Sequence, residues 1–211
     1  SILKVKSAFS HLASAGNEKD SEFTQRQIDL LNECTRRLQD GIGYSFLRHI
    51  AATSGIELWP NAYFDMVRLG IGLYGVDIER HDLPIREASI LKTNVTQIKY
   101  LAATETVGYN RHGVLHRDSK IATIKIGYAD GYDRRFGNGV GQMMVNGVLV
   151  PTIGDICMDM CMLDVTDVEV GEEDEVIVYP DIKSSAKAIG TIPYELLTSI
   201  SQRVKRVYFY E

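Results

Sequence analysis

The sequence predicts an α/β part followed by a mainly antiparallel, all-β part, with the change near residues 78–88. In the first 80 residues, short apolar runs alternate with a helical pattern, as in βαβ units with a parallel sheet. From about residue 90 onward, apolar and polar residues alternate over long spans, as in half-buried strands. Between the two lies ERHDLPIRE (79–87), which is charged, carries Pro84 and reads as a linker. The expected domains are therefore 1–80 and 86–211.

Each element has its own signal. VKSAFSHL (5–12) reads as a buried strand ending near His11. GNEKDS (16–21) is a polar loop offering Asp20 and Ser21 as helix N-caps. Phe23, Gln27, Leu30, Leu31, Cys34 and Leu38 then recur at three or four, as on one helix face, and Gly41 and Gly43 stop that helix. YSFLRHIA (44–51) reads as a strand, 53–56 as a short helix or turn, and DMVRL (65–69) as the next strand. In the second part, SILKTNVTQIKYL (89–101), KIATIKIGY (120–128), DEVIVYP (174–180) and RVYFYE (206–211) read as strands. MMVNGVLV (143–150) places Asn-Gly between apolar runs, a strong hairpin signal. A helix is expected over 193–202, with Pro193 in its first turn.

Bulk properties narrow the function. Lys and Arg total 23 against 28 Asp and Glu, a formal net charge of −5, which argues against nucleic acid as the main partner. No apolar run is long enough to cross a bilayer, so no membrane partner is expected. Three cysteines do not suggest a disulfide framework and favour a reducing, cytoplasmic setting. The chain has no initiator Met and opens close to a strand-like segment, which reads as a start in mid-domain. Cys157 and Cys161 lack a second Cys or His pair, so no metal site is expected, and the acidic run 172–175 reads as a solvated turn.

Three polar residues, His11, His49 and Arg68, stand at the ends of three successive predicted strands. In α/β barrels that end of the strands holds the active site, and the loops after the last strands commonly hold a phosphate. GIGLYG (70–75), directly after Arg68, lets backbone N–H groups approach an anion closely. Taken alone, a histidine at a strand end is more often structural, but three polar groups at three successive strand ends point to a site.

As a set, FDMVRLGIGLYG (64–75), SHLASAG (10–16), VGYNRHG (107–113), IGYADGY (126–132) and GDICMDMCM (154–162) resemble the alanine racemase family over nearly all the chain. The resemblance implies the last strands, about three of eight, of a (β/α)8 TIM-type barrel, followed by a C-terminal β domain. It implies a pyridoxal 5′-phosphate enzyme interconverting L- and D-alanine for peptidoglycan synthesis. It also implies a homodimer in which the β domain of one subunit completes the barrel site of the other. Arg68 matches the residue facing the cofactor's pyridine nitrogen, His11 and His49 its supporting histidines, and Thr53, Gly70, Ile71 and Tyr194 the phosphate donors. Tyr109 matches the catalytic tyrosine. Tyr128 and Met158 match substrate-entrance residues, Met158 through its backbone N–H, with Asp159 and Arg134 shaping that entrance.

There are departures from the family pattern. The cofactor-binding lysine lies on an early barrel strand, before the first matching motif, so the 211 residues alone are expected not to racemise alanine. None of Lys4, Lys6, Lys92 and Lys99 falls in a matching motif. Ala52 stands where Asn is frequent, and Asp155 where Arg is common, which reverses a charge near the entrance. A parent fused to another cell-wall enzyme is compatible with the resemblance. So are a racemase of broader specificity, a decarboxylase of the same architecture and a non-catalytic β-domain fragment.

Overall fold

The computed structural model describes residues 3–77 and 83–209, which divide into two units, 1–89 and 90–211. In the first unit, strands β1 (Ser7–Phe9) and β2 (Leu47–His49) pair in parallel, with Ser7 opposite Leu47 and Phe9 opposite His49. Helix α1 (Ser21–Ile42) links them, and helix α2 (Thr53–Leu58) follows β2. The core beneath them is small: Leu12, Ile28, Ile50, Ala51 and Ala62, flanked by Leu31, Ile56, Trp59 and Phe64. Gly55 of α2 permits its close seat, since a Cβ there would lie 3.0 Å from the Ala51 Cβ and 3.3 Å from Leu12 Cδ1.

Three sequence expectations for this unit are corrected. The strand over 5–12 shrinks to three residues and is not buried, with Ser7 and Phe9 exposed. The face of α1 that packs is Thr24, Ile28, Leu31 and Thr35, about one residue's rotation away from the apolar stripe, and Phe23, Leu30 and Leu38 stay exposed. Leu31 of the expected stripe does pack against the core, beside Ile28. No strand forms over 65–69. No ladder pairs that segment with β2: Asp65 N–H bonds the Arg48 carbonyl (3.1 Å) and the Arg48 N–H bonds the Asp65 carboxylate (2.9 Å), while the Arg68 N–H bonds the Ala51 carbonyl beyond β2 (3.0 Å). It is entered through Phe64 at φ 48°, a left-handed turn that sets its direction. The helix stop is as expected at Gly43, whose φ of 76° lets its N–H bond the Gln39 carbonyl.

The second unit is built on a closed six-stranded barrel in which every neighbouring pair is antiparallel. Its strands enter in chain order with a two-stranded hairpin among them: β3 (Lys92–Leu101), β4 (Thr106–Val107), β5 (Gly113–Val114), β6 (Ser119–Ile124), β7 (Gln142–Val145), β8 (Val148–Ile153), β9 (Cys161–Asp164) and β10 (Glu175–Ile177). Around the barrel the order is β10-β3-β6-β9-β8-β7, and β4 and β5 pair with each other. Val95, Ile124, Met143, Val145, Leu163 and Val176 are fully buried. Asn146 (φ 50°) and Gly147 (φ 80°) form the tight turn of the β7–β8 hairpin, as the sequence predicts.

Helices α3 (Ile182–Ala188) and α4 (Pro193–Ser199) close the chain, α4 with Pro193 in its first turn and three residues shorter than expected. No strand forms over 206–209. Val207, Tyr208 and Phe209 are exposed there, so alternation alone misled, and 210–211 lie outside the described residues. The first four residues of the expected linker, 79–82, also lie outside them. Among the described residues no helix is long and apolar enough to cross a membrane.

The hairpin β4–β5 is held to the outside of the barrel by a second apolar cluster. Val107 and Leu115 pack on Ile121 of β6 and Met162 of β9. This explains why β6 and β9 are buried on both faces and do not alternate. Burying side chains of this size contributes roughly 1.5–3 kcal/mol each, enough to fix the position of a short hairpin that would not be stable alone.

Candidate functional site

Two residue groups stand out, one in each unit. In the first unit, Arg68 draws the two strand ends together. Its Nη1 lies 2.8 Å from His49 Nδ1, and its Nη2 lies 3.0 Å from His11 Nδ1. Nη2 also donates to the carbonyls of Ser10 (2.9 Å) and Ile50 (3.2 Å). A guanidinium carries donors only, so both imidazoles accept at Nδ1 and carry their proton on Nε2. The Arg68 Cζ sits 5.3 Å from the centroid of Phe9, which stacks on His49 at 5.3 Å and 7°. His49 is 6% exposed, and burial first and the Arg68 charge second push its pKa below the ordinary value. His49 is therefore a neutral acceptor that fixes the cation without competing with its charge.

Beside it, the Thr53 hydroxyl accepts from two backbone N–H groups, Gly70 and Gly72, each at 3.2 Å. The hydroxyl's own hydrogen remains to donate. Ile71, between the glycines, is buried. The Thr53 side chain thus ties the start of α2 to the 70–72 turn. Gly72 keeps the turn close, because a Cβ there would lie 3.0 Å from Leu69 Cδ1 and 3.3 Å from Thr53 Cγ2.

In the second unit, the β4–β5 hairpin presents Tyr109, which is 69% exposed. The tip is tightly coiled: Gly108, Asn110 and Arg111 all have positive φ (78°, 53° and 58°). Non-glycine residues in that region cost free energy and cluster at functional sites. The tip is tied down by His112, whose Nδ1 lies 2.9 Å from the Asp155 carboxylate, and Asn138 donates to the same carboxylate at 3.0 Å. Those two bonds hold the Asp155 pKa below the usual carboxylate range. The charge expected to be reversed near the entrance is thus taken up locally by the hairpin.

The same stretch leads to Met158. Tyr128 N–H bonds the Cys157 carbonyl and Ala129 N–H the Met158 carbonyl, both at 3.0 Å, so the two loops run against each other. Gly127 permits this, since a Cβ there would fall 2.4 Å from the carbonyl oxygens of Cys157 and Met158. Tyr128 (44% exposed) and Met158 (54% exposed) are accessible. Arg134 lies near enough to lower the pKa of Asp155 by its charge.

Asp159 is bound by Arg203, which also reaches Asp130. Tyr194 is half-buried on α4. The structure therefore brings His11, His49 and Arg68 together, Thr53 with Gly70, and Tyr109 with the loops of Tyr128, Arg134, Met158 and Asp159. Among the described residues, no three His, Cys, Asp or Glu side chains gather as for a metal ion.

Sequence reasoning missed Phe9, Asp130, His112 and Arg203. Asp130, inside IGYADGY, and His112, inside VGYNRHG, stood in motifs singled out for the site and could have been noted there; Arg203 has no local signal in SQRVKRV.

Comparison with known proteins gives a consistent result. The family model "Alanine racemase, C-terminal domain" matches residues 88–208, and "Alanine racemase, N-terminal domain" matches residues 1–77. The alanine racemase of Clostridium novyi (strain NT) is 38% identical over 98% of this chain and 56% of its own length. Alanine racemase 2 of Caldanaerobacter subterraneus subsp. tengcongensis is 37% identical over 99% of this chain and 56% of its own. The crystal structure of alanine racemase from D-cycloserine-producing Streptomyces lavendulae matches with a TM-score of 0.90 at 29% identity, over 99% of this chain and 57% of that one. That from Bartonella henselae, with covalently bound pyridoxal phosphate, gives 0.82 at 32% identity, over 98% and 57%. The chain thus spans little more than half the length of the relatives it matches.

Proposed function

The chain belongs to the alanine racemase family, and from that premise we propose that a protein of the relatives' full length interconverts L- and D-alanine using pyridoxal 5′-phosphate. The observation that carries the reading is the fixing of Arg68 between two imidazole acceptors.

The site suits the cofactor. A phosphate needs donors on one side, and the Thr53 hydroxyl, which keeps its own hydrogen to donate, stands where the Gly70 and Gly72 N–H groups converge on it. Ile71 and the Tyr194 phenol complete the proposed phosphate contacts. When bound, the cofactor supplies an electron-withdrawing ring that acidifies the Cα–H of an amino acid attached to it.

Arg68 faces the ring nitrogen in this reading. It donates a hydrogen bond but keeps its proton, so it tempers the ring's withdrawal and disfavours side reactions of a long-lived carbanion. Tyr109 of the partner subunit moves a proton at Cα. A phenol has a pKa near 10, and in this reading the His11 Nε2–H donates to its oxyanion. Met158 holds the substrate carboxylate through its backbone N–H, Tyr128 lines the approach, and Asp159 and Arg134 shape it. The barrel part holds the last strands of a TIM-type barrel, and the homodimer, working in the cytoplasm, feeds peptidoglycan synthesis.

The test is a pair of measurements. Tyr109→Phe should lower the racemisation rate by about 10²- to 10⁴-fold, the range a positioned acid–base group contributes. Mixing Tyr109→Phe subunits with subunits lacking the cofactor lysine should then restore one working site per heterodimer. Full activity in Tyr109→Phe would overturn the assignment, and verified heterodimers without recovery would overturn site sharing.

A further inference from the structure

We propose that Arg203 is a positioning residue for the substrate approach, clamping the Tyr128 turn to the Met158 loop through Asp130 and Asp159. The inference rests on the reading that these two loops face substrate.

The guanidinium bridges two carboxylates from different segments. Nε donates to Asp130 Oδ1 at 2.7 Å, and Nη2 donates to Asp159 Oδ1. Asp130 closes the 128–130 turn, since its other oxygen accepts the Gly127 N–H at 2.9 Å. Asp159 directly follows Met158. One side chain therefore spans both loops, at the point where Tyr128 and Ala129 already bond the carbonyls of Cys157 and Met158.

The segment carrying Arg203 is itself fixed to the turn. Ser201 N–H donates to the Asp130 carbonyl (2.9 Å) and the Ser199 hydroxyl to the Gly131 carbonyl (3.1 Å). Gly131 (φ 103°) admits that segment, because a Cβ there would lie 2.3 Å from the Ser199 carbonyl oxygen.

The two arms do different work. Asp130 is 9% exposed, so removing its cation strands a buried carboxylate. Asp159 is half exposed, and an exposed pair stabilises little. What the second arm supplies is direction: it holds the residue next to the Met158 N–H against a fixed anchor. An arginine fork can bridge two carboxylates, whereas a lysine ammonium is a single point.

The experiment compares Arg203→Gln, Arg203→Lys, Asp159→Asn and the Arg203→Gln/Asp159→Asn double variant. In the 211-residue chain, amide exchange at 128–129 and 157–160 should quicken by about tenfold or more in Arg203→Gln, with β6 and β9 unchanged. In the full-length enzyme, KM for alanine should rise by roughly fivefold or more, with kcat changing less. Arg203→Lys should recover stability but not KM. Asp159→Asn, which leaves the Asp130 pair intact, should raise KM on its own and keeps the test open if Arg203→Gln fails to fold. The double variant should have a KM no higher than that of Arg203→Gln, since both remove one interaction.

Unchanged KM with loosened loops, a uniform rise in exchange, or additive effects would each overturn the proposal. A wild-type enzyme without racemase activity would overturn the functional reading instead, and the exchange pattern would then decide the clamp alone.

Discussion

At the scale of single residues, Arg68 dictates the state of its neighbours. Because it can only donate, His11 and His49 are held in the Nε2–H form. Two-bond ¹H–¹⁵N spectra should show an unprotonated Nδ1 in both rings at pH 7.5, and a protonated Nδ1 in either would refute the arrangement. His49 also carries a pH dependence. Its folded pKa lies below the ordinary 6.5, from burial and from the Arg68 charge. The unfolded chain therefore binds the proton first as pH falls. The stability that follows from keeping this ring neutral is complete above about pH 6.5 and is lost progressively as pH drops toward the folded value. An NMR titration should place the His49 midpoint below 6.5, and Arg68→Met should move it upward without restoring it fully, since burial remains. The residue types and their order were legible in the sequence. The shared guanidinium was not, because it depends on distances between segments 19 and 57 positions apart.

At the scale of elements, local chemistry was read well where it acts locally. The Asn146-Gly147 turn needs two positive φ angles, and that demand is written in two adjacent residues. Gly147→Ala should cost about 1 kcal/mol, since a Cβ there meets nothing within 4 Å and the left-handed backbone is the sole source of strain. Gly171, which is equally uncrowded and lacks a positive φ, is the control. Gly171→Ala should be nearly neutral in the same urea titration, and equal losses at the two sites would contradict this account. The failures came where tertiary contact overrides pattern. The stripe of Phe23, Leu30 and Leu38 has the stronger hydrophobic signal, yet α1 packs through Thr24, Ile28 and Thr35. Alternation suggested strands at 65–69 and 206–211, but a strand needs a partner ladder, which neither segment's described residues form. The β4–β5 hairpin was missed because its strands are two residues each, too short for any period to register.

At the scale of the whole molecule, the two units differ in how they are completed. The second closes its sheet into a barrel, which leaves no unpaired edge among the six strands. The first pairs only β1 with β2 among the described residues and leaves Phe9, Leu47 and Leu73 exposed. Limited proteolysis should therefore cut first between about residues 75 and 89, and release a resistant fragment beginning near residue 90. Initial cleavage inside 90–180 would show that the β unit does not stand alone. By itself, the sequence determined the change from α/β to antiparallel β, the hairpin turn, the cap at Gly43 and the family to which the motifs belong. Each of these is a short-range property: a period, a φ requirement or a run of residues in order. Tertiary structure alone decided the closure of the barrel, the burial of β6 and β9 on both faces, the packing face of α1 and the Arg203 bridge. Those depend on which distant segments meet, and pairing energies between distant segments leave no local trace in the chain.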